Sequence, residues 1–417
     1  MPSTTLRYLL LFAVLVLGIL LVLAGFEYGL RFSTGEKTGK TNYRPHPTAI
    51  ASYIPHINKI ITRGSADNSL RTNAIGVRDN DPFCKNANVL LFGDSNLVAE
   101  FLPFEKTLGE ELESLFDNTI CAINYGLPGY GPDQGLSRMR YEIDNHRLSP
   151  EVIVFHVFAD NDYGDMFRNR IFSTGDNGVL QRTDRKEVDF ELRWMERYQA
   201  QFLLVRRLRG FAIKQGFYNI GENEYYPERQ GAYLARPLNS ILKTNHFISR
   251  VEKITSGEYQ EYKSGRHTTW LGDLYDYWIA LNPESEAARV SEKLLGAVFS
   301  EAKKTSDEIG ACLVVLIQPS EWDIARTGPV SHVDLAKYSN IYKRNYHPRN
   351  LTDVAKNSAI SSGVFYINLF DVYEASKVSA YTAYNYDGGD NHWNEYGIKE
   401  AAAALHEFII TNNCIKN

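Results

Sequence analysis

The stretch "NVLLFGDSNLVAE", Asn88 to Glu100, decides how the rest of the chain is read. Val89 to Phe92 is a short, uninterrupted apolar run, the pattern of a strand buried on both faces. It stops at Gly93-Asp94-Ser95. Asp and Ser before a helix are favoured caps, so helix capping accounts for this tripeptide taken alone. The same position is the carboxyl end of a buried strand, where α/β folds build their sites. The two readings are separated by what else ends at that edge.

Working outward, strand and helix signals alternate. "EKTLGEELESLF" (Glu105 to Phe116) places Leu108, Leu112 and Leu115 on one helical face. "TICAIN" (Thr119 to Asn124), "EVIVFHVFA" (Glu151 to Ala159), "CLVVLI" (Cys312 to Ile317) and "VFYINLF" (Val364 to Phe370) complete a set of five strands. Continuous β-branched runs suit a parallel sheet covered by helices on both faces. Asn282-Pro283 reads as the cap and first turn of a helix with an apolar stripe at Ala287, Val290, Leu294 and Val298. A last helix follows Asn394, with Ile398, Ala401, Ala402, Leu405 and Ile409 inward.

Between the third and fourth strands the chain is too long for one crossover. It is polar, aromatic-rich and weakly periodic. "ELRWMERYQAQFLLVRRLRGF" carries a helical signal and "YNIGENEYYPERQGAYLARP" does not, which predicts a mostly helical insertion over 170–281. Its aromatics, Tyr225, Tyr226, Trp270, Tyr275 and Trp278, either pack the insertion on the sheet or floor a sugar-binding cleft.

At the amino end, "YLLLFAVLVLGILLVLAGF" (Tyr8 to Phe26) carries no charge and is long enough to cross a ~30 Å hydrocarbon layer as a helix. Val22 and Ala24 also fit a signal-peptide cleavage site, but the apolar run exceeds the usual h-region and favours an anchor. Arg7 lies on one side and Arg31, Lys37, Lys40 and Arg44 on the other, so charge does not set the orientation. Residues 1–7 are then a short tail, 8–26 a transmembrane anchor, and 27–85 a tether and loop-rich lead-in. The main domain is expected in two parts, 86–169 and 282–417.

Composition narrows the function classes. A net charge of -5 gives no electrostatic case for nucleic acid. Four cysteines, Cys84, Cys121, Cys312 and Cys414, show no CxxC spacing, which argues against a zinc or thioredoxin-type site. Their even number suits disulfides in an oxidising compartment and buried thiols equally. No metal or other cofactor is expected.

A serine attacks an ester only with a base to take its proton, an acid to orient the base, and donors for the oxyanion. Three further segments could supply them. "INYGLPGYGPDQ" (Ile123 to Gln134) follows the second strand, and glycine there lets backbone N–H groups approach a ligand. "FADND" (Phe158 to Asp162) follows the third, where an Asn amide can donate to an oxyanion or close an Asx-turn. "DGGDNHWNEYG" (Asp387 to Gly397) precedes the last helix. His392 suits proton shuttling near neutrality, with Asp390 as its orienter and Asp387 as runner-up. His156, His46 and His56 read as core or solvent residues.

On these blocks the chain resembles the SGNH (GDSL-type) hydrolase superfamily over most of its length outside the insertion. "FGDSN" looks like the first block, which implies Ser95 as nucleophile. "NYGLPGYG" looks like the second, with Gly129 as an oxyanion-hole N–H beside that of Ser95. "ADND" looks like the third, with Asn161 as the oxyanion-hole amide, although Ala159 stands where glycine is usual. "DNHWNEYG" looks like the last block, with His392 as base and Asp390 as orienter. Its Asp-x-His spacing is similar to that of alginate acetyltransferases, not the commoner Asp-x-x-His. "RTNAIGVRD" also resembles a segment before the first block of membrane-anchored bacterial members.

The resemblance implies a flavodoxin-like three-layer α/β/α sandwich with five parallel strands. In that order all four cysteines fall at the bottom of the sheet, away from Ser95. The function expected is a membrane-anchored esterase cleaving O-acyl, chiefly O-acetyl, esters of a carbohydrate or envelope polysaccharide outside the cytoplasm. The alternatives are a polysaccharide O-acetyltransferase using the same triad, working with envelope polysaccharide machinery, and a non-catalytic envelope assembly protein that retains the fold.

Overall fold

The computed structural model describes residues 4–34, 42–63, 66–79, 84, 87–169, 171–175, 178–183, 204, 279, 283–324, 349–384 and 392–415. The chain falls into two units, 1–42 with 186–226 and 43–185 with 227–417.

In the first unit, helix α1 spans Thr4–Thr34. It runs past Phe26, where the apolar stretch was expected to end. Glu27 and Arg31 carry it on, pairing one turn apart at 2.5 Å so that their charges cancel. Leu11–Ser33 is long and apolar enough to cross a membrane, and its Leu and Val side chains up to Leu23 are exposed. Glu27 also accepts a hydrogen bond from the backbone N–H of Leu204 at 2.7 Å. The expected helical character of the insertion, and its aromatics Tyr225, Tyr226, Trp270, Tyr275 and Trp278, lie outside the described residues.

The second unit opens with two antiparallel hairpins, β1 (Tyr43–His46) with β2 (Ile50–Tyr53) and β3 (Asn58–Arg63) with β4 (Ala66–Arg71). The lead-in is therefore more regular than its loop-rich sequence suggests. Its few apolar residues are spent on docking: Tyr53, Ile57 and Leu70 are buried with Val98, Leu127 and Tyr130.

Then come β5 (Val89–Phe92), α2 (Ser95–Val98), α3 (Leu108–Leu115), β6 (Ala122–Asn124), α4 (Pro132–His146), β7 (Val152–Ala159) and α5 (Asp162–Asn169). A small hairpin, β8 (Phe172–Thr174) with β9 (Leu180–Arg182), precedes the insertion. Beyond it lie α6 (Glu286–Ile309), β10 (Cys312–Pro319), α7 (Asn350–Ser361), β11 (Phe365–Asn368), α8 (Leu369–Ala375) and α9 (Glu395–Thr411).

Five of these strands form one parallel sheet in the order β11-β10-β7-β5-β6. Counted along the chain this is 2-1-3-4-5, the flavodoxin-like order. Alternate strand residues feed two cores. Leu90, Phe92, Ile153, Phe155, Leu313 and Val315 face one side, with residues of α4, α6 and α7. Val89, Leu91, Val152, Val154, Val314 and Leu316 face the other, with residues of α3, α8 and α9. Each such Val, Leu or Ile contributes roughly 1.5–3 kcal/mol by leaving water.

All the inward residues expected of the last helix are buried. Two of the boundaries move because a side chain caps a helix. Asn368 accepts from the N–H of Phe370 at 3.0 Å, which ends β11 before Leu369 and starts α8 there. Ser285 accepts from the N–H of Ala288 at 3.1 Å, so α6 starts at Glu286 and not at Asn282-Pro283. At the amino edge a disulfide joins Cys312, the first residue of β10, to Cys414 after α9. Cys84 and Cys121 are free thiols, and burial, with the Cys84 thiol alongside, pushes the Cys121 thiol up.

Candidate active site

The strand order reverses at β5. The next strand, β6, lies on one side of it and β7 on the other, which opens a crevice at the carboxyl end of β5. Ser95, the first residue of α2, stands there. The capping role belongs to its neighbour: Asp94 Oδ1 accepts from the N–H of Asn96 at 2.9 Å. That leaves the Ser95 hydroxyl uncommitted to the helix, and it meets His392 Nε2 at 2.8 Å. His392 is half-buried just before α9, with the Phe101 ring edge-on at 4.2 Å between centroids. Asp390 and its runner-up Asp387 lie outside the described residues.

Gly129 and Asn161 sit in the loops that end β6 and β7, on either side of Ser95. The loop after β6 is tied to β5 and α2 by Tyr125 N–H to Leu91 O at 2.8 Å and Leu127 N–H to Gly93 O at 3.1 Å. Asn124 Nδ2 adds a bond to Leu97 O at 2.7 Å. Gly129 is exposed and has φ of 77°, a left-handed conformation that side chains resist. In the turn after β7, Asp162 Oδ2 accepts from the N–H of Phe158 at 2.8 Å. That bond closes the turn and leaves the Asn161 side chain out of it. Asn161 Oδ1 is buried with no hydrogen-bond partner among the described residues.

The lead-in closes one side. Helix α2 is a single turn and leaves its last carbonyls without helical partners. Buried Arg78 donates to Val98 O at 2.7 Å, Ala99 O at 2.5 Å and Leu102 O at 2.6 Å, and Asn68 Nδ2 donates to Phe101 O. The segment that carries Phe101 against His392 is thus held by residues that precede β5.

Behind Ser95 lies a buried polar cluster. Asn96 Oδ1 accepts from the backbone N–H of Trp393 at 3.0 Å and from Gln318 Nε2 at 3.1 Å. Gln318 Oε1 faces His156 Nε2 at 2.7 Å. His156 is packed so closely on Gly93 that a Cβ there would lie 2.8 Å from the histidine Cβ. Burial holds the imidazole below its usual range, against the raising effects of Asp94 and Gln318. Its Nδ1 lies 3.4 Å from Asp94 Oδ1, outside hydrogen-bond geometry.

The structure places two of the residues singled out in the sequence, Ser95 and His392, within hydrogen-bond distance of each other. The sequence reading missed Arg78, Asn96 and Gln318 and assigned His156 to core or solvent. One signal was present: "VIVFHVFA" and "LVVLIQP" each place a single polar residue late in an apolar strand. A cavity of about 300 Å³ lies elsewhere, lined by Thr48, Arg140, Tyr141, Arg182 and Glu301 among others, and none of the residues above borders it.

No family model matches the chain, and neither does any curated protein. Among solved structures it is similar to the psychrotrophic esterase EstA from Pseudoalteromonas sp., in a form inhibited by monoethylphosphonate. The identity is 13%, covering 78% of this chain and 98% of that one, with a TM-score of 0.33. It is also similar to LAE5, an alpha/beta hydrolase enzyme from the metagenome of Lake Arreo, Spain. There the identity is 11%, covering 80% of this chain and 98% of that one, again with a TM-score of 0.33.

Proposed function

We propose that this protein is a membrane-anchored serine esterase of SGNH type that removes O-acyl, chiefly O-acetyl, groups from a carbohydrate or envelope polysaccharide. The observation that carries the reading is the 2.8 Å contact between Ser95 Oγ and His392 Nε2 at the point where the strand order reverses. His392, oriented by Asp390, takes the hydroxyl proton as Ser95 attacks the acyl carbonyl. The N–H groups of Ser95 and Gly129 and the Asn161 amide receive the oxyanion. His392 returns the proton to the departing alcohol oxygen. Water, deprotonated in turn by His392, then releases the acid and frees Ser95.

The apolar reach of α1 and the Cys312–Cys414 disulfide support a catalytic unit held at a membrane on its extracytoplasmic side. Acylated envelope polysaccharides are ester substrates within reach of such an anchor. The test uses the full-length chain in detergent with p-nitrophenyl acetate and an acetylated glycan. Acetate release from both, abolished in Ser95→Ala, is the expected result. No release from either, or undiminished release by Ser95→Ala, overturns the reading.

A further inference from the structure

Hydrogen-bond direction can be assigned through the buried cluster from one group whose role is fixed. The backbone N–H of Trp393 can only donate, so the Asn96 atom that meets it at 3.0 Å is the carbonyl oxygen. The second group on that oxygen must also donate, which makes it the Gln318 amide nitrogen, at 3.1 Å. Tyr384 agrees: its hydroxyl donates to Pro319 O and so accepts the other Gln318 proton at 3.3 Å. Gln318 then turns its carbonyl to His156, and the proton of that 2.7 Å bond sits on His156 Nε2.

The path runs from β7 through the end of β10 to Asn96 and on to Trp393. Asn96 follows Ser95, and Trp393 follows His392. Two parallel bonds, Ser95–His392 and Asn96–Trp393, therefore join consecutive residues of two segments 297 positions apart. The second is sealed from solvent: Trp393, Asn96, His156 and Gln318 are all 1% exposed or less. The Trp393 ring also packs edge-on against His156 at 5.0 Å between centroids. In a low-dielectric interior such bonds are stiff, and leaving one group unpaired is costly.

We propose that His156 is a positioning residue of this site: its Nε2–H, acting through Gln318 and Asn96, fixes the backbone at Trp393 and so sets the His392 imidazole against Ser95. The inference rests on reading Ser95 and His392 as nucleophile and base. It adds a residue that touches neither the acyl group nor the reacting atoms. A small displacement of His392 lowers the reactivity of Ser95 while leaving substrate binding in place.

The test compares full-length His156→Leu, which has no donor, with His156→Gln, whose amide nitrogen replaces Nε2. The rate of Ser95 labelling by a fluorophosphonate and the kcat and KM for p-nitrophenyl acetate are measured. His156→Leu should label and turn over roughly 10- to 100-fold more slowly at nearly unchanged KM. His156→Gln should recover most of both rates. Should His156→Leu not fold, Gln318→Met, close in size and without a donor to Asn96, should show the same loss of rate. Natural rates in His156→Leu or in Gln318→Met, or a His156→Gln as slow as a folded His156→Leu, overturn the positioning role. If the unsubstituted protein itself is not labelled, the esterase reading fails on its own. The positioning role is then decided by crystal structures of the variants, and it falls if Ser95 and His392 keep their separation without the His156 donor.

Discussion

The two edges of the sheet solve the same problem differently. At the amino edge, a set of buried and half-buried polar groups around Asn88 is paired. Asn88 Nδ2 donates to Glu151 at 2.7 Å and Oδ1 accepts from Cys121 N–H at 3.0 Å. The Asn88 carbonyl accepts from the N–H groups of Glu151 and Val152 at 2.9 Å, and Glu113 accepts from Ala122 N–H at 2.7 Å. At the carboxyl edge, Asp94 Oδ2, Asn96 Nδ2, His156 Nδ1 and Asn161 Oδ1 are buried without a hydrogen-bond partner among the described residues. Unpaired buried groups cost stability and persist where something other than stability is selected. One edge is built from paired polar groups, and the other, where the proposed esterase site lies, keeps several unpaired.

The strongest way to break this contrast is to remove one hydroxyl. Ser95→Ala should lower esterase turnover by about 10⁴-fold or more, with a melting temperature unchanged or slightly raised. A variant that loses its stability along with its activity would mean that the carboxyl edge also carries the fold. Asn161→Ala comes next, with an expected loss of about 10²–10³ in kcat and a small change in KM, as for a donor used only in the transition state. An unchanged kcat removes Asn161 from the oxyanion site. Asn88→Leu tests the other edge. It strands the Cys121 N–H and a Glu151 carboxylate oxygen, and should cost about 1–3 kcal/mol in a denaturant titration. Its kcat per folded molecule should match that of the natural protein; a fall in kcat would show that the edges are coupled.

What the sequence made legible follows the same division. The five strands were readable because each is built on a run of apolar residues, and α9 because its inward residues keep a helical spacing. Ser95 and His392 were readable because each stands at a recognisable boundary, a strand end and a helix start. The cluster behind them was not. His156 meets Gln318 across 162 positions and Gln318 meets Asn96 across 222, and no local pattern reports such a meeting. A lone histidine in an apolar strand looks the same whether it fills the core or orders a neighbouring loop. Arg78 was hidden for a related reason: its partners are backbone carbonyls, which carry no mark in the sequence. The lead-in hairpins were missed because their apolar residues dock on the Ser95 loops and show no strand alternation.

The smallest effect concerns a residue outside both sets of polar groups but within electrostatic reach of Glu113. Burial pushes the Glu110 carboxyl on α3 up from 4.5 to about 7, with Glu113, Asp79 and Glu105 adding repulsion. The folded state thus binds this proton more tightly than the unfolded chain does. The stability it lends is complete below about pH 4.5 and declines as the pH rises toward 7, beyond which Glu110 changes nothing further. Glu110 is half-buried, so solvent screens the repulsion and keeps the effect to a fraction of what a sealed carboxylate would show. Glu110→Gln should flatten the decline in unfolding free energy across that window and leave kcat and its pH profile as they are. An equally steep decline in the variant would assign it to other groups. A changed activity profile would place Glu110 in the chemistry and erase the division between the helix face it occupies and the edge where Ser95 stands.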